Sequence, residues 1–258
     1  MTPGKIMPEP HPAAPRTAFQ LLPGRSDAGL VIICDHASNA IPADCGDLGL
    51  PPEELRRHIA WDIGAAPIAE ILARRFGAPA VICGTSRLVI DCNRDPGDPA
   101  AIPEVSDGTV IPGNRHLTVW DRTERISRWF IPYHDAIEAE METAGATGVE
   151  PVLLSVHSMT PVMRGVARPW PIAISWHRDE RLSRPMIEAL QRRVSEPIGD
   201  NQPYDLDPKE DFSVPVHALD LGLRHIQVEF RQDLVADAAG QARWATVFGD
   251  ALAEVLGL

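Results

Sequence analysis

The segment that most constrains the fold is the uninterrupted apolar run Leu30–Cys34, which is followed directly by Asp35 and His36. A short apolar run without alternation predicts a strand that is buried on both faces. Sheets with two buried faces are covered by helices on each side, and their functional residues lie in the loops that follow the strands. The run therefore favours an α/β fold with a functional segment that begins at Asp35.

The rest of the chain alternates between apolar runs and segments of helical periodicity. The apolar runs predict strands at Ala80–Cys83, 87–91, 152–156, Ile172–Ser175 and 225–230. Helical spacing predicts helices at 62–76, 119–144, 183–194 and 240–256, with Pro132 as a kink or break in the second. Residues 95–115 are rich in Pro, Gly and Asp and predict a long loop of the kind that often carries function.

This alternation, without an internal repeat or linker, predicts the overall architecture. We expect an α/β fold in which residues 16–258 form a single three-layer α/β/α domain around a mixed, largely parallel sheet. The proline-rich residues 1–15 predict a flexible tail that lies outside this domain.

The charge of the chain limits its partners. The 258 residues include 36 acidic and 24 basic side chains, giving a formal net charge of -12, which argues against nucleic acid or an anionic membrane as the main partner. No apolar run is long enough to span a membrane, and the N-terminal segment lacks the apolar centre of a secretory signal. The four cysteines form no CxxC pair, which favours a reducing compartment. We therefore expect a cytoplasmic protein with a small-molecule partner, while the oligomeric state stays open.

Two histidines stand at or near the ends of predicted buried strands. His36 follows the first strand, and His157 follows the strand at 152–156. If these strands are neighbours, two imidazoles converge on one metal ion and leave a coordination position open. Asp62 is a third ligand, a partner of His58 or a helix cap, and the sequence does not decide between these roles. His134 and His217 are weaker candidates.

Charged and polar residues at two further strands indicate a catalytic group and a binding group. Alternation along 225–230 places Glu229 and Arg231 on one face, so Glu229 is either a base that activates water or the ion-pair partner of Arg231. Arg87, Asn93 and Arg94 flank the predicted strand at 87–91. Together they are suited to grip a carboxylate by charge-assisted hydrogen bonds, or they form a solvated surface turn.

Several motifs then occur together and in a fixed order: DHASNAIP, HIAWDIGA, SRLVIDCNR, SDGTVIPGN, PYH, SVHSMTPV, RPW and VEFRQDL. From about Leu30 to its end the chain resembles the N-formylglutamate amidohydrolases. The resemblance implies hydrolysis of N-formyl-L-glutamate to formate and L-glutamate, a late step of histidine degradation. The two carboxylates of that substrate need cationic or polar partners, for which the chain offers Arg87, Asn93, Arg94, Arg168 and Arg231.

A second, more distant similarity is to the zinc carboxypeptidases. It implies a zinc-carboxypeptidase-like fold, with His36 and His157 as zinc ligands and Glu229 as the general base. Asn39 stands where that family has a glutamate ligand. Because asparagine is neutral, we expect zinc to be weakly held unless Asp62 or Asp35 replaces it as the third ligand.

The sequence is also compatible with two other functions. One is that of a related zinc hydrolase that acts on another N-acyl acidic amino acid or on a small peptide. The other is that of a ligand-binding relative that has kept the fold and lost catalysis.

Overall fold

The computed structural model describes residues 17–258, and the predicted tail at 1–15 lies outside them. The centre of this part of the chain is a seven-stranded mixed sheet with strand order β1-β3-β2-β6-β11-β9-β10. Two small hairpins, β4-β5 and β7-β8, are separate from it. The strands are β1 Phe19–Leu22, β2 Leu30–Cys34, β3 Ala80–Cys83, β4 Val105–Ser106, β5 Thr109–Val110, β6 Val152–Met159, β7 Val162–Met163, β8 Val166–Ala167, β9 Ile172–Ser175, β10 Gly199–Asp200 and β11 His225–Arg231. The helices are α1 Ala65–Phe76, α2 Val119–Arg125, α3 Ile131–Gly145, α4 Ser183–Gln191 and α5 Ala238–Leu256.

Helices cover both faces of the sheet, as the two apolar clusters show. On one face, alternate strand residues such as Ile32 and Leu154 pack against α1, α4 and α5. On the other face, Val31 and Leu153 pack against α3, which contributes Tyr133. Because successive side chains of a strand point to opposite faces, each buried strand supplies both clusters. The predicted three-layer α/β/α fold is confirmed.

The direction of the strands determines where the site can form. β2, β6 and β11 are adjacent and parallel, whereas β11 and β9 pair antiparallel, and so do β1 and β3. The sheet is therefore mixed and largely parallel, as predicted. The carboxyl ends of β2, β6 and β11 meet at one edge of the sheet, where parallel α/β sheets carry their ligands.

Some predicted elements differ from those of the structure. Residues 87–91 are wrong as a strand: their apolar side chains are buried, but the backbone makes local turns, with the Val89 amide donating to Ser86 O and the Asp91 amide to Ala101 O. The helix predicted at 62–76 begins only at Ala65, with Gly64 as its N-cap residue. The helix predicted at 119–144 is divided between α2 and α3 by a π-helical turn, Ile126–Phe130.

The sequence pattern missed the two strands at the edges of the sheet, β1 and β10. β1 is only partly buried, and β10 has two residues, so neither has an apolar run long enough to be recognised. No helix between residues 17 and 258 combines the length and apolarity needed to cross a membrane.

Candidate functional site

The functional side chains gather at the shared edge of three parallel strands. His36 comes two residues after the end of β2, and His157 and Glu229 lie near the ends of β6 and β11. Glu229 is directly opposite His157 in the strand register. Asp62 reaches the same point from the turn before α1, where its backbone amide donates to His36 O at 2.8 Å. Residues far apart in sequence therefore converge on one small volume.

His36, Asp62 and His157 form a group that can hold a metal ion. One ligand atom from each lies within 4.8 Å of the others, and all three residues are buried. Asp62 Oδ2 is 3.3 Å from His36 Nδ1 and 3.0 Å from His157 Nδ1. Two imidazole nitrogens and one carboxylate are a donor set suited to a divalent transition metal with an open position.

The Nε2 atoms of both histidines are occupied by other partners. His36 Nε2 is 2.7 Å from Asp91 Oδ1, and His157 Nε2 is 2.9 Å from Ser155 Oγ and 3.2 Å from Asp35 Oδ2. Partners that accept Nε2–H place Nδ1, which carries the lone pair of the neutral ring, on the side of Asp62. Both rings are therefore oriented to coordinate through Nδ1.

The buried charges of this group perturb one another. Burial lowers the pKa of His36, but the carboxylates of Asp91 and Asp62 outweigh it and raise that pKa to about 9. Burial raises the pKa of Asp62, but the two histidines outweigh it and hold the carboxyl well below its usual range. These opposite shifts show that the carboxylates of this group favour a positively charged partner at the histidines.

Glu229 is isolated beside the histidines. It is buried, and its Oε2 atom has no hydrogen-bond partner among residues 17–258. Burial raises the pKa of Glu229 to about 7, and the Asp62 carboxylate adds to this increase. A buried carboxylate oxygen without a donor is costly unless a cation, a water or a substrate satisfies it. Glu229 therefore fits a site that holds a metal ion and a reacting water.

A cavity of about 290 Å³ opens above this group and holds most of the predicted substrate-binding residues. Arg168 donates to Thr160 Oγ1 and Tyr204 Oη, and its guanidinium lies 4.9 Å from the centre of the Tyr204 ring. Arg94 donates to Glu210 O. Within residues 17–258, neither of these cavity arginines forms an ion pair with a carboxylate. They are the cations best placed for an acidic ligand.

Two other predicted substrate-binding residues are already engaged within the protein. Arg87 lies in the cavity wall but pairs with Asp91 at 2.7 Å and with Asp62 at 3.5 Å. Asn93 donates to Asp211 Oδ1, and its Oδ1 atom accepts from the Phe212 and Ser213 amides, so it fixes the segment at 211–213. These contacts hold Arg87 and Asn93 in the wall of the cavity and are not those of a solvated surface turn.

Two further predicted residues lie outside the group. Asn39 does not join the histidines; its Nδ2 donates to Leu55 O at 2.9 Å, and the carboxylate of Asp62 takes the third position. The argument for weakly held zinc, which rested on a neutral ligand at Asn39, therefore loses its basis. Arg231 does not line the cavity and pairs with Asp233, so it serves neither a ligand there nor Glu229.

The remaining polar residues near the site differ in where they lie. Asp62 does not cap α1, whose N-cap residue is Gly64. His134 and His217 form their own buried pair, with His134 Nδ1 2.9 Å from His217 Nε2, outside the cavity.

Asp91, which bonds His36 and Arg87, was not predicted as a site residue. The sequence feature that could have identified Asp91 is its position directly after the apolar residues Leu88-Val89-Ile90, which are buried.

The fold and the site define an α/β protein with a buried His–Asp–His group that can hold a metal, beside an isolated glutamate. Comparison with known proteins gives the family: the N-formylglutamate amidohydrolase model matches residues 28–236. The chain belongs to this family and is an amide-hydrolysing enzyme. The predicted resemblance is thereby confirmed.

Two solved structures are similar to the chain in fold. A gene product of Agrobacterium tumefaciens is 34% identical, with a TM-score of 0.87 over 93% of this chain and 95% of that one. The N-formylglutamate amidohydrolase of Ralstonia eutropha JMP134 shares the fold at 21% identity, with a TM-score of 0.69 over 92% of this chain and 96% of that one. A search of curated protein sequences found no match.

Proposed function

We propose that this enzyme hydrolyses the amide of N-formyl-L-glutamate to formate and L-glutamate, with a divalent cation, most simply zinc, held by His36, Asp62 and His157. The observation that carries the proposal is the convergence of these three ligand atoms beside Glu229 in a cavity that contains two arginines, neither of which pairs with a carboxylate of residues 17–258. We further propose that the reaction serves histidine degradation in the cytoplasm.

The chemistry divides between the cation and the chain. A bound zinc ion supplies Lewis-acid polarisation of the amide carbonyl and makes water more acidic. Glu229 accepts a proton from the attacking water and delivers it to the amide nitrogen as the carbon–nitrogen bond breaks. Burial raises the pKa of Glu229 above its usual range, which makes it a stronger base than an exposed carboxylate.

The substrate's two carboxylates need cationic partners, and the cavity offers two arginines among its acidic residues. N-formyl-L-glutamate carries two negative charges, and desolvating either one without a cationic partner is costly. Arg168 and Arg94 each line the cavity without a carboxylate partner in the described part of the chain, so one arginine is available for each charge. The planar guanidinium can bind a carboxylate through two hydrogen bonds.

The size of the cavity favours a small substrate over a peptide. Its volume of about 290 Å³ is just below the range for small-molecule sites, about 300–1,000 Å³. An alternative substrate with a larger acyl group on an acidic amino acid would require the same arginines and more space in the cavity for that acyl group. Comparing formyl with acetyl substrates therefore tests which acyl group fits.

Formate release tests the proposal. Chelator-treated enzyme is assayed with N-formyl-L-glutamate before and after zinc is restored, and N-acetyl-L-glutamate and N-formyl-L-norleucine serve as acyl and side-chain controls. We expect zinc-dependent release from N-formyl-L-glutamate and at least about tenfold lower kcat/KM for both controls. Absence of formate release at every metal concentration would contradict the proposed substrate. Release that does not depend on zinc or another divalent cation would contradict the proposed role of the metal.

A further inference from the structure

Asp35 is a buried carboxylate next to the candidate metal site, and the proposed reaction gives it no role. It lies directly after β2, one residue before His36, and only 1% of its surface is exposed. It is not among the three residues whose ligand atoms converge. A buried carboxylate is costly unless it is hydrogen-bonded or paired, so its partners should reveal what it does.

The two oxygens of Asp35 have different partners. Oδ1 accepts from Tyr133 Oη at 2.9 Å and from Ser213 Oγ at 2.5 Å. Oδ2 accepts from Ser155 Oγ at 3.2 Å and lies 3.2 Å from His157 Nε2. Oδ1 is thus held by the hydroxyl groups of Tyr133 and Ser213, while Oδ2 faces His157.

The donors around Asp35 leave its Oδ2 atom as an acceptor for an imidazole N–H. Tyr133 Oη and Ser213 Oγ both donate to Oδ1, and Ser155 Oγ donates to Oδ2, so these contacts are those of a carboxylate that only accepts. An ionised carboxylate only accepts hydrogen bonds. Any neutral imidazole opposite Oδ2 is therefore held as the Nε2–H tautomer, whose Nδ1 carries the lone pair.

We propose that Asp35 is a positioning residue that fixes the ring orientation and the tautomer of His157, so that His157 Nδ1 is available to a metal ion. The inference rests on the proposed function only in requiring that a metal binds here. The arrangement parallels that of His36, since each ring has Nδ1 toward Asp62 and a carboxylate near Nε2. Asp91 bonds His36 Nε2 directly, whereas Asp35 lies 3.2 Å from His157 Nε2 and also accepts from Ser155 Oγ, which is 2.9 Å from that nitrogen. Such outer partners orient metal ligands and increase their basicity.

Asp35→Asn tests the assignment with nearly unchanged size. An amide N–H opposite His157 Nε2 favours the other tautomer, whose Nδ1 carries a proton and cannot bind a metal. We expect zinc affinity, measured by competition with a chelator, to fall by about 10–100-fold. Tyr133→Phe is the matched control, because it removes one donor to Oδ1 and leaves the contact with His157 intact. We expect its zinc affinity to stay within about threefold of that of the wild type.

A spectroscopic measurement gives a second test, and its wild-type arm does not need the variant to fold. Proton NMR of the cobalt-substituted wild-type enzyme should show two exchangeable, strongly shifted imidazole N–H signals, one from each histidine ligand. Asp35→Asn should lose or shift one of them, and Tyr133→Phe should keep both. Only one such signal in the wild type would overturn the assignment.

The outcomes separate this inference from the proposed function. If the wild type binds zinc and Asp35→Asn binds it equally tightly, Asp35 only stabilises the fold and the inference is overturned, while the proposed function stands. The same holds if Asp35→Asn lowers the melting temperature of the metal-free protein without changing zinc affinity. If the wild type itself binds no divalent cation, both proposals fail.

Discussion

The buried pair of His134 and His217 should make the stability of this enzyme sensitive to acid. His134 Nε2 lies 2.9 Å from Cys92 O, and its Nδ1 faces His217 Nε2, so in the neutral state Nε2–H donates to the carbonyl and Nδ1 accepts. Burial lowers the pKa of His134 from 6.5 to about 4, and the neighbouring His217 contributes to the decrease. Protonating His134 would remove the acceptor that His217 uses.

The sign and size of the effect follow from this shift. The unfolded chain binds a proton at His134 below pH 6.5, whereas the folded chain binds it only below about pH 4. The contribution to stability is therefore complete above pH 6.5 and is lost as the pH falls toward 4. One such group gives a loss of about 2 kcal/mol in the free energy of unfolding between pH 7 and pH 5, and about 3 kcal/mol in total.

Urea unfolding of the wild type and His134→Gln at pH 7 and pH 5 measures this contribution. Glutamine can still donate to Cys92 O but does not titrate, so we expect the free energy of unfolding to fall by about 2 kcal/mol less in the variant. Other buried groups titrate in both proteins, and their contributions largely cancel in the difference. An equal loss in the two proteins would refute the reasoning and mean that His134 is not held neutral by burial.

Three further predictions concern the site. Glu229→Gln keeps the size of the side chain and removes the base, so kcat for formate release should fall by about 100-fold or more. Metal analysis of the variant should still find zinc. Near-normal turnover would mean that another residue is the base. Asp62→Asn exchanges a charged ligand for a neutral one, so zinc affinity in chelator competition should fall at least about tenfold. Asn39→Ala is the control and should keep the zinc affinity of the wild type. Equal affinities in the wild type and both variants would exclude Asp62 as a ligand. Arg168→Lys keeps the charge but loses the planar guanidinium group, so KM for N-formyl-L-glutamate should rise about tenfold. Arg231 lies outside the cavity, so Arg231→Lys is the control and should keep the wild-type KM. An unchanged KM in Arg168→Lys would mean that Arg168 does not bind the substrate.

The sequence alone determined the central part of the fold. The limits of β2, β3 and β9 were predicted correctly, because a strand buried on both faces is recorded directly as a short apolar run. The centre of the segment at 87–91, Leu88-Val89-Ile90, is also apolar and buried, but the segment forms turns. Apolar composition records burial, whereas strand pairing depends on backbone partners elsewhere in the chain. Periodicity could not separate the two cases.

The sequence also supplied the kinds of residue that the site uses, but only the tertiary structure decided which ones meet. Asn39 is three residues from His36, yet Asp62, twenty-six residues away, takes the third position because the turn before α1 is hydrogen-bonded to His36 O. Likewise, the arginines cannot be ranked by spacing, since Arg87 and Arg231 pair with carboxylates, whereas Arg168 pairs with none between residues 17 and 258. Local patterns report which face of an element is buried. Pairing between side chains depends on how distant elements pack, and that information exists only in the folded chain.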